Sequence, residues 1–244
     1  MIYKEKAETR IDDFDADGYM LLPSVLKVLE NAADHHSASV TDESVEGSMR
    51  GVAWILAEWR VEVIRLPSYR DTLVIETWIS EESAAAHSNR EFLLLDDRGN
   101  VLIKAAAKLT LFDLKENRII KTDRAILERY RPEGSSVFSE KAHRLIPAES
   151  FSSETVFPLR RSDIDYNGHV HNTSYLNFVF DILPENAVQS FDIAKVRIAY
   201  KRPIKLGDNT VIKFRKDGGV WNVCVFGNGV LCAIIELTER EDLG

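Results

Sequence analysis

The sequence has few cysteines, no long apolar run and fewer positive than negative charges. No run approaches the roughly 18 consecutive apolar residues that would span a bilayer. Residues 1–6 (MIYKEK) carry charges where a signal peptide needs an apolar core. These absences argue against a membrane span and a secretory signal, so we expect a cytoplasmic protein with no membrane partner.

The charge balance argues against nucleic acid as a partner. Lys and Arg total 31 against 39 Asp and Glu, giving a net charge of −8, whereas proteins that track phosphate backbones present a basic surface. With 45% hydrophobic and 29% charged residues, the composition is that of a folded protein with a full core. A length of 244 residues suits one large domain or two small ones.

The two cysteines, Cys224 and Cys232, flank a turn at residues 227–229. Either two-residue loop at that turn places Cys224 opposite a residue other than Cys232. We therefore interpret both as small buried hydrophobic residues, and not as a disulfide or as metal ligands.

A degraded copy of the segment RSDIDYNGHVHN (residues 161–172) lies 150 positions earlier in the chain (165 − 15 = 150). The later copy has Asn167 and His169 where the earlier copy has Asp17 and Tyr19. A second match joins residues 61–75 to residues 198–212 at an offset of 137 (198 − 61 = 137). Because both matches come in the same order, the chain is interpreted as an internal duplication that makes two like domains.

Each copy is predicted to be a helix followed by strands. Pro23 suits the first turn of a helix that runs to about residue 37, and Pro184 ends a second helix that starts near Tyr175. Alternation and β-rich composition predict strands over 54–64, 72–80, 89–95, 101–112, 194–200, 210–214, 220–226 and 230–238. This order is typical of an α+β unit whose sheet closes on one helix.

A turn-rich stretch at residues 131–136 separates the two copies. We therefore expect an N-terminal domain at residues 1–130, a linker at 131–153 and a C-terminal domain at 154–244.

The order of these elements resembles the acyl-acyl carrier protein (acyl-ACP) thioesterases. The likeness is carried by residues 54–67, 71–78, 90–107 and 162–176. The resemblance implies two tandem hotdog domains, each an antiparallel sheet wrapped around a central helix. Since no transit segment precedes the first copy, a bacterial-type member is expected, similar to the plant fatty acyl thioesterases.

By the same resemblance, Asp165, Asn167 and His169 are the catalytic residues, and no metal or organic cofactor is required. One departure concerns a Tyr-Arg-Arg-Glu-Cys segment of the plant members, whose Glu is implicated in catalysis. Its best match here is YKRPI at residues 200–204, so Pro203 replaces the Glu and Ile204 the Cys. A cysteine nucleophile is excluded at that position, and the identity of a fourth catalytic residue stays open.

Thioester hydrolysis needs a base or nucleophile beside the carbonyl and a donor for the developing oxyanion. Asp165 would activate water or attack directly. Asn167 would orient the water or the carboxylate, and His169 would donate to the carbonyl oxygen or hold the carboxylate. A helix expected to begin near residues 168–173 would add backbone N–H donors, and Gly168 would let the thioester approach the main chain. The alternative is that these residues only cap a helix or form a turn.

Further substrate contacts are expected on both copies. Val170 and His171 continue the catalytic segment, with a role for His171 away from substrate as the alternative. The first copy, which has lost the histidine, would line the acyl tunnel with residues 25–29 and with the sheet face near Trp54 and Trp59.

The remaining histidines fit a metal site poorly. For His35 and His36, which close the first helix, a helix-terminal or surface role is favoured over metal binding. His87 and His143 have no Cys, Asp or second His at ligand spacing, so both are expected in loops or on the surface.

A basic strip follows the catalytic segment. Lys195, Arg197 and Lys201 share one parity of a predicted strand, which places their charges on its solvent face. Arg202 and Lys205 extend the strip. In an acidic protein these residues would meet the phosphopantetheine phosphate or an acidic carrier protein, with an ordinary solvated face as the alternative.

The expected function is hydrolysis of fatty acyl thioesters on acyl carrier protein. Two rivals use the same residues: an acyl-CoA thioesterase, and a non-enzymatic acyl-binding protein made conceivable by Pro203. The sequence leaves the acyl chain length undecided. It also leaves open whether the chain forms a homo-oligomer, because the two copies already supply the pair that single hotdog proteins obtain by dimerising.

Overall fold

The computed structural model describes residues 1–40, 51–81, 87–121, 124–134, 136–184 and 192–240. The chain divides into two compact units, Met1–Lys141 and Ala142–Gly244. The boundary between the units lies inside the stretch at 131–153 that the sequence marks as a linker. Within the described ranges, no helix has both the length and the apolar character needed to cross a bilayer.

Unit 1 is one long helix on an antiparallel sheet. Its elements are β1 (Tyr3–Lys6), α1 (Leu22–Ser39), β2 (Val52–Val63), β3 (Val74–Ile79), β4 (Ser88–Leu95), β5 (Val101–Asp113), β6 (Arg118–Ile119) and α2 (Arg124–Arg129). The strand order is β1-β3-β4-β5-β2, with β6 paired to β5. Helix α1 lies against β3 and buries an apolar face that includes Val25, Leu26, Val28, Leu29 and Ala32. Burial of that face, more than helix propensity, stabilises the helix.

A β-bulge in β2 decides which residues face the core of unit 1. Trp54 and Trp59 are five positions apart, so strict alternation would place them on opposite faces of the sheet. The register with β5 shifts between Leu56 and Glu58, and the extra residue returns both tryptophans to one face. Trp59 is buried there and packs on Phe92, with ring centroids 5.3 Å apart.

Unit 2 repeats the arrangement with a shorter helix. Its elements are β7 (Ser153–Phe157), α3 (Ser174–Ile182), β8 (Ile193–Tyr200), β9 (Thr210–Asp217), β10 (Val220–Gly227) and β11 (Val230–Glu239). The strand order is β8-β11-β10-β9-β7, with every pair antiparallel. Helix α3 ends before Pro184, as the sequence predicts. Cys224 and Cys232 are free and buried, and Cys224 pairs with Ile234 across β10 and β11.

Matched hydrogen bonds confirm the duplication. The Met20 N–H donates to the Pro67 carbonyl over 2.8 Å, and the Val170 N–H donates to the Ile204 carbonyl over 2.8 Å. The donors differ by 150 positions (170 − 20) and the acceptors by 137 (204 − 67), which are the two offsets of the sequence repeat. Both units therefore share one α+β plan, the tandem hotdog architecture expected from the resemblance.

The linker stretch at residues 131–153 contacts both units: its first part packs on unit 1 and its later part on unit 2. In unit 1, the Glu91 carboxylate accepts the Val137 N–H over 3.0 Å, and the Arg60 guanidinium lies 3.9 Å from the centre of the Phe138 ring. In unit 2, Arg197 on β8 donates to the backbone carbonyl of His143.

Candidate active site

The segment that begins at Asp165 is a tight turn closed by its own carboxylate. Asp165 Oδ1 accepts the N–H of Asn167 over 2.8 Å and the N–H of His169 over 3.3 Å. The Asp165 N–H donates to the His169 carbonyl over 2.8 Å, and the Gly168 N–H donates to the Asp165 carbonyl over 3.0 Å. Gly168 has φ +78° and open space around its Cα, so the turn requires glycine for its backbone conformation.

The first copy builds the same turn. Asp15 Oδ1 accepts the N–H of Asp17 over 3.0 Å and the N–H of Tyr19 over 2.8 Å, and Gly18 has φ +81°. The capping interpretation therefore accounts for Oδ1 of Asp165, because both copies use that atom in the same way. It leaves Oδ2 of Asp165 and the side chains at positions 167 and 169 to be explained.

Three side chains with possible chemical roles share one face of this hairpin in unit 2. Ile164 pairs with Val170 in an isolated bridge, so the residues on either side of that pair point the other way. The His171 N–H donates to the Asp163 carbonyl over 2.8 Å, which sets positions 163 and 171 opposite each other, as 165 and 169 are. Asp165, His169 and His171 therefore lie on one face, while Val170 points into the core.

Asn167 and His169 differ in how firmly they are held. The Asn167 amide nitrogen lies 3.4 Å from Asp165 Oδ2, a long hydrogen bond, and the Asn167 side chain is exposed. The His169 side chain is half-buried. Its imidazole makes no hydrogen bond within the part of the chain that the structure describes, so both ring nitrogens are available to a substrate.

His171 has a defined tautomer. The Thr173 N–H donates to His171 Nδ1 over 3.4 Å, and the Thr173 hydroxyl oxygen lies 2.7 Å from the same nitrogen. Because an N–H faces Nδ1, the proton of the neutral ring sits on Nε2. Burial lowers the pKa of His171 below its ordinary value, and the nearby negative charge of Asp165 opposes that shift. The neutral ring offers an N–H donor close to Asp165.

Residues 200–204, where Pro203 and Ile204 replace the family's Glu and Cys, contact the turn segment at Val170 and Asn172. Ile204 is buried, and its carbonyl accepts the Val170 N–H over 2.8 Å, whereas Pro203 is exposed. Tyr200 at the end of β8 donates its hydroxyl to the Asn172 carbonyl over 2.9 Å. These contacts anchor the turn but bring no further carboxylate to it.

The expected oxyanion donors at residues 168–173 need a correction. Helix α3 begins at Ser174, after a turn, so Gly168 is not at a helix N-terminus. Each backbone N–H from 167 to 171 already has an acceptor inside unit 2. Donors for an oxyanion must therefore come from side chains of this face, or from residues beyond 171.

A cavity of about 170 Å³ lies in unit 1. Its walls are Glu30, Ala33, Asp34 and Ser37 of α1, Trp54 of β2, Ile79 of β3, Ser88 and Arg90 of β4, Leu109 of β5, and Tyr130. Trp54, which the sequence analysis expects to line an acyl tunnel, is one of the walls of this cavity. Trp59 and the apolar residues Val25, Leu26, Val28 and Leu29 are core residues that do not line this cavity, and Lys27 is exposed.

One residue of the predicted basic strip, Arg197, is not part of an exposed surface. Lys195, Lys201 and Arg202 are exposed as predicted. Arg197 is 9% exposed, and its Nη1 lies 2.9 Å from His143 Nε2 and 3.8 Å from Glu236 Oε1. Strand parity was right for the direction of this side chain, but the linker stretch covers it.

His36 lies in the last turn of α1, which agrees with the expected helix-terminal position, but it is wholly buried and not on the surface. Its ring stacks on Tyr3 at 5.1 Å, and Nδ1 lies 3.1 Å from Nη1 of Arg90. Burial, followed by the charge of Arg90, lowers the pKa of His36 to about 3. Ser37 joins the cluster by accepting the Tyr130 hydroxyl over 2.8 Å. His35, the exposed neighbour, pairs with Glu5 instead, and the side chain of His143 is also largely exposed.

Two family models match this chain. The acyl-ACP thioesterase N-terminal domain matches residues 1–130, and the acyl-ACP thioesterase C-terminal domain matches residues 147–222. Together they cover both units and include the Asp165 turn.

Curated relatives are plant enzymes at low identity. The chain is 24% identical over 224 residues to oleoyl-acyl carrier protein thioesterase 1, chloroplastic, of Arabidopsis thaliana, which covers 84% of this chain and 61% of the relative. It is 22% identical over 217 residues to dodecanoyl-[acyl-carrier-protein] hydrolase, chloroplastic, of Cinnamomum camphora, covering 83% and 56%. The chain thus spans between about half and three fifths of the length of the curated relatives that it matches.

Solved structures agree with the fold over nearly the whole chain. The 12:0-ACP thioesterase from Umbellularia californica superposes with a TM-score of 0.84 at 20% identity, covering 98% of this chain and 97% of that chain. An acyl-ACP thioesterase from Bacteroides thetaiotaomicron gives a TM-score of 0.82 at 18% identity, covering 98% and 97%. At such identities the likeness establishes the tandem fold.

Proposed function

The chain belongs to the acyl-ACP thioesterase family, and on that premise we propose that it hydrolyses fatty acyl thioesters on acyl carrier protein and releases free fatty acid. The Asp165 turn of unit 2 is the proposed catalytic centre. One observation carries this choice: both copies build the same carboxylate-capped turn, but only unit 2 adds an amide and two imidazoles to it.

In the proposed reaction, Asp165 acts through Oδ2, because Oδ1 is committed to two backbone N–H groups. Oδ2 takes a proton from water while the water oxygen attacks the thioester carbonyl carbon. The carbon–sulfur bond then breaks, and the leaving thiolate receives the proton held by the carboxyl group. Direct attack by Oδ2 is the alternative: the carboxylate adds to the carbonyl carbon, the carbon–sulfur bond breaks and the thiolate leaves, and water then hydrolyses the resulting acyl-enzyme anhydride to the fatty acid and free Asp165.

Side chains supply the proposed oxyanion donors, since the backbone N–H groups at 167–171 are taken. The His169 imidazole makes no hydrogen bond to the described residues of unit 2, so a ring N–H can donate to the carbonyl oxygen. His171 presents Nε2–H from the same face and is the next candidate. Asn167, held 3.4 Å from Oδ2, would orient the carboxylate or the attacking water.

The carrier is proposed to dock on exposed positive charge of unit 2. Four basic residues of unit 2 are exposed: Lys195, Lys201, Arg202 and Lys205. Three of them lie within three positions of Ile204, whose carbonyl accepts a hydrogen bond from Val170 in the catalytic turn. A phosphate or an acidic carrier bound there would be attracted by charges close to the reacting group. Arg197 is left out of this surface because it is buried.

Thiol release measured across acyl chain lengths tests the function. Matched acyl chains are presented to purified protein on acyl carrier protein and on coenzyme A, and kcat/KM is compared. Higher kcat/KM on the carrier protein is expected. A preference for coenzyme A would assign the chain to acyl-CoA hydrolysis, and acyl thioester binding with no thiol released from either carrier would contradict an enzymatic role.

A further inference from the structure

In unit 1, two hydrogen bonds join the carboxylate-capped turn to the loop beside it. The Met20 N–H donates to the Pro67 carbonyl over 2.8 Å. The Tyr69 N–H donates to the Gly18 carbonyl over 2.9 Å. The two bonds flank an isolated antiparallel bridge, so the turn and the loop form a short closed ladder.

Unit 2 keeps only the first of these two bonds. The Val170 N–H donates to the Ile204 carbonyl over 2.8 Å. The second bond would join Leu206 to Gly168, at the same offsets of 137 (206 − 69) and 150 (168 − 18). Among the residues that the structure describes, the Leu206 N–H has no acceptor within the protein, and the Gly168 carbonyl has no donor. The ladder is therefore open at this point in unit 2, whereas it is closed in unit 1.

The open point lies beside the side chains proposed for catalysis, because Gly168 directly precedes His169. A Cβ added at Gly168 or at Gly207 would meet no atom within 4 Å beyond the chain neighbours. Unit 1 has Arg70 in place of Gly207 (207 − 70 = 137), so only unit 2 lacks side chains on both sides of this gap. A thioester carbonyl can enter here and meet the Leu206 N–H without breaking a hydrogen bond of the fold.

We propose that the thioester carbonyl binds in this gap and that the backbone N–H of Leu206 donates a hydrogen bond to the carbonyl oxygen. The proposal rests on the thioesterase activity proposed above, and it adds a backbone donor to the imidazole of His169. The N–H keeps its proton throughout the reaction. Its hydrogen bond strengthens as the carbonyl oxygen becomes an oxyanion, so it lowers the reaction barrier more than it strengthens substrate binding.

The loop that carries this N–H can accommodate proline at position 206. The Asp208 N–H donates to the Lys205 carbonyl over 3.1 Å. Gly207 has φ +95° and Leu206 does not have a positive φ, which defines a type II turn with Leu206 at its second position. Proline is common there because its fixed φ suits the turn. Leu206→Pro therefore removes the N–H and keeps the turn, whereas Leu206→Ala removes the side chain and keeps the N–H.

Thiol release by these two variants tests the role. The kcat of Leu206→Pro is expected to lie about 100-fold below that of Leu206→Ala, as for the loss of one oxyanion donor, with a much smaller change in KM and no fall in melting temperature. Tyr69→Pro removes the equivalent N–H of unit 1, which is hydrogen-bonded, so it should lower the melting temperature and leave kcat unchanged. Equal kcat values for the two Leu206 variants would overturn the proposal. A wild type that turns over no thioester would contradict the thioesterase activity, and this role with it.

Hydrogen exchange tests the same contact in the wild-type chain and without turnover. In the free protein, the Leu206 amide is expected to exchange faster than the hydrogen-bonded Tyr69 amide. The probe is an acyl carrier protein loaded with a ketone analogue, in which a methylene group replaces the thioester sulfur and the carbonyl remains. Its binding should slow exchange at Leu206 about fivefold or more, the protection given by one ordinary hydrogen bond, and leave Tyr69 unchanged.

A bound analogue that leaves exchange at Leu206 unchanged would overturn the proposal even if Leu206→Pro lowers kcat. An analogue that does not bind would contradict the carrier-bound substrate of the proposed function, and the carbonyl site with it.

Discussion

Asp15 and Asp165 close the same turn 150 residues apart, each accepting two backbone N–H groups through Oδ1 from the residues two and four positions later. A carboxylate retained in both copies is explained by the turn. Its second oxygen, together with the side chains that only unit 2 carries, is where catalysis can differ between the copies. This relationship supplies internal controls for the proposed site.

Asp165→Asn is the sharpest of these tests. An asparagine keeps an acceptor at Oδ1 for the two N–H groups but removes the negative charge and the base. We expect kcat to fall by at least about 100-fold, the lower range for losing a general base, with the melting temperature nearly unchanged. Asp15→Asn makes the same change in the equivalent turn and is expected to leave kcat unchanged. Equal effects of the two substitutions on kcat would assign Asp165 to the turn alone.

The double variant Asn167→Asp, His169→Tyr gives the unit 2 turn the side chains of the unit 1 turn. Since unit 1 holds the same backbone with those residues, the fold is expected to survive. Loss of the amide and the imidazole should lower kcat about 100-fold or more, as removal of an oxyanion donor does. Circular dichroism checks the fold and thiol release checks the rate. A variant that retains most of the wild-type rate would contradict the roles given to both residues.

The sequence was sufficient for the architecture because the duplication repeats its apolar and turn residues in order. The eight predicted strands and the central helix of each unit lie where alternation and proline predict them. The structure adds β1, β6, α2 and β7. Two of these strands have little apolar signal: β1 is YKEK, and β7 (SETVF) is an edge strand with only Phe157 buried. Strands of this kind form because they pair with a neighbouring strand, and the local sequence pattern does not predict that pairing.

The sequence was less informative about buried polar residues. His36 was expected at a helix end or on the surface, but it is buried and faces the buried Arg90 inside unit 1. Their burial depends on a partner 54 positions away, which is a tertiary property. The burial of Arg197 also depends on a residue distant in sequence. Strand alternation predicts the face on which its side chain lies, but the contact with the backbone carbonyl of His143 does not follow from the local sequence.

Charge reversal on unit 2 tests the docking surface. The triple variant Lys195→Glu, Lys201→Glu, Arg202→Glu is expected to raise KM for acyl carrier protein substrates about tenfold at low salt, because steering by exposed charge is lost. Added salt should narrow the difference. Arg197→Met, which removes a buried charge from the same strand, should lower the melting temperature without a selective rise in that KM. An unchanged KM in the triple variant would contradict the proposed docking role of these residues.

His36 predicts a loss of stability in acid. Its pKa is about 3 in the folded protein, lowered by burial and by Arg90, against about 6.5 when unfolded. Between these values the unfolded chain binds the proton and the folded chain does not, so stability falls as the pH drops from about 6.5 towards 3. Linkage gives a loss of about 3 kcal/mol between pH 7 and pH 4 from this residue.

Urea unfolding at pH 7 and pH 4 measures that loss in wild type, His36→Gln and His35→Gln. The His36 variant should lose about 3 kcal/mol less than wild type over this interval, because it no longer has the titrating group. The His35 variant removes the exposed neighbour on the same helix turn and should follow wild type. If wild type and His36→Gln lose the same free energy of unfolding, His36 takes up its proton in the folded protein near the ordinary pKa of histidine. The cluster with Arg90 would then open in acid.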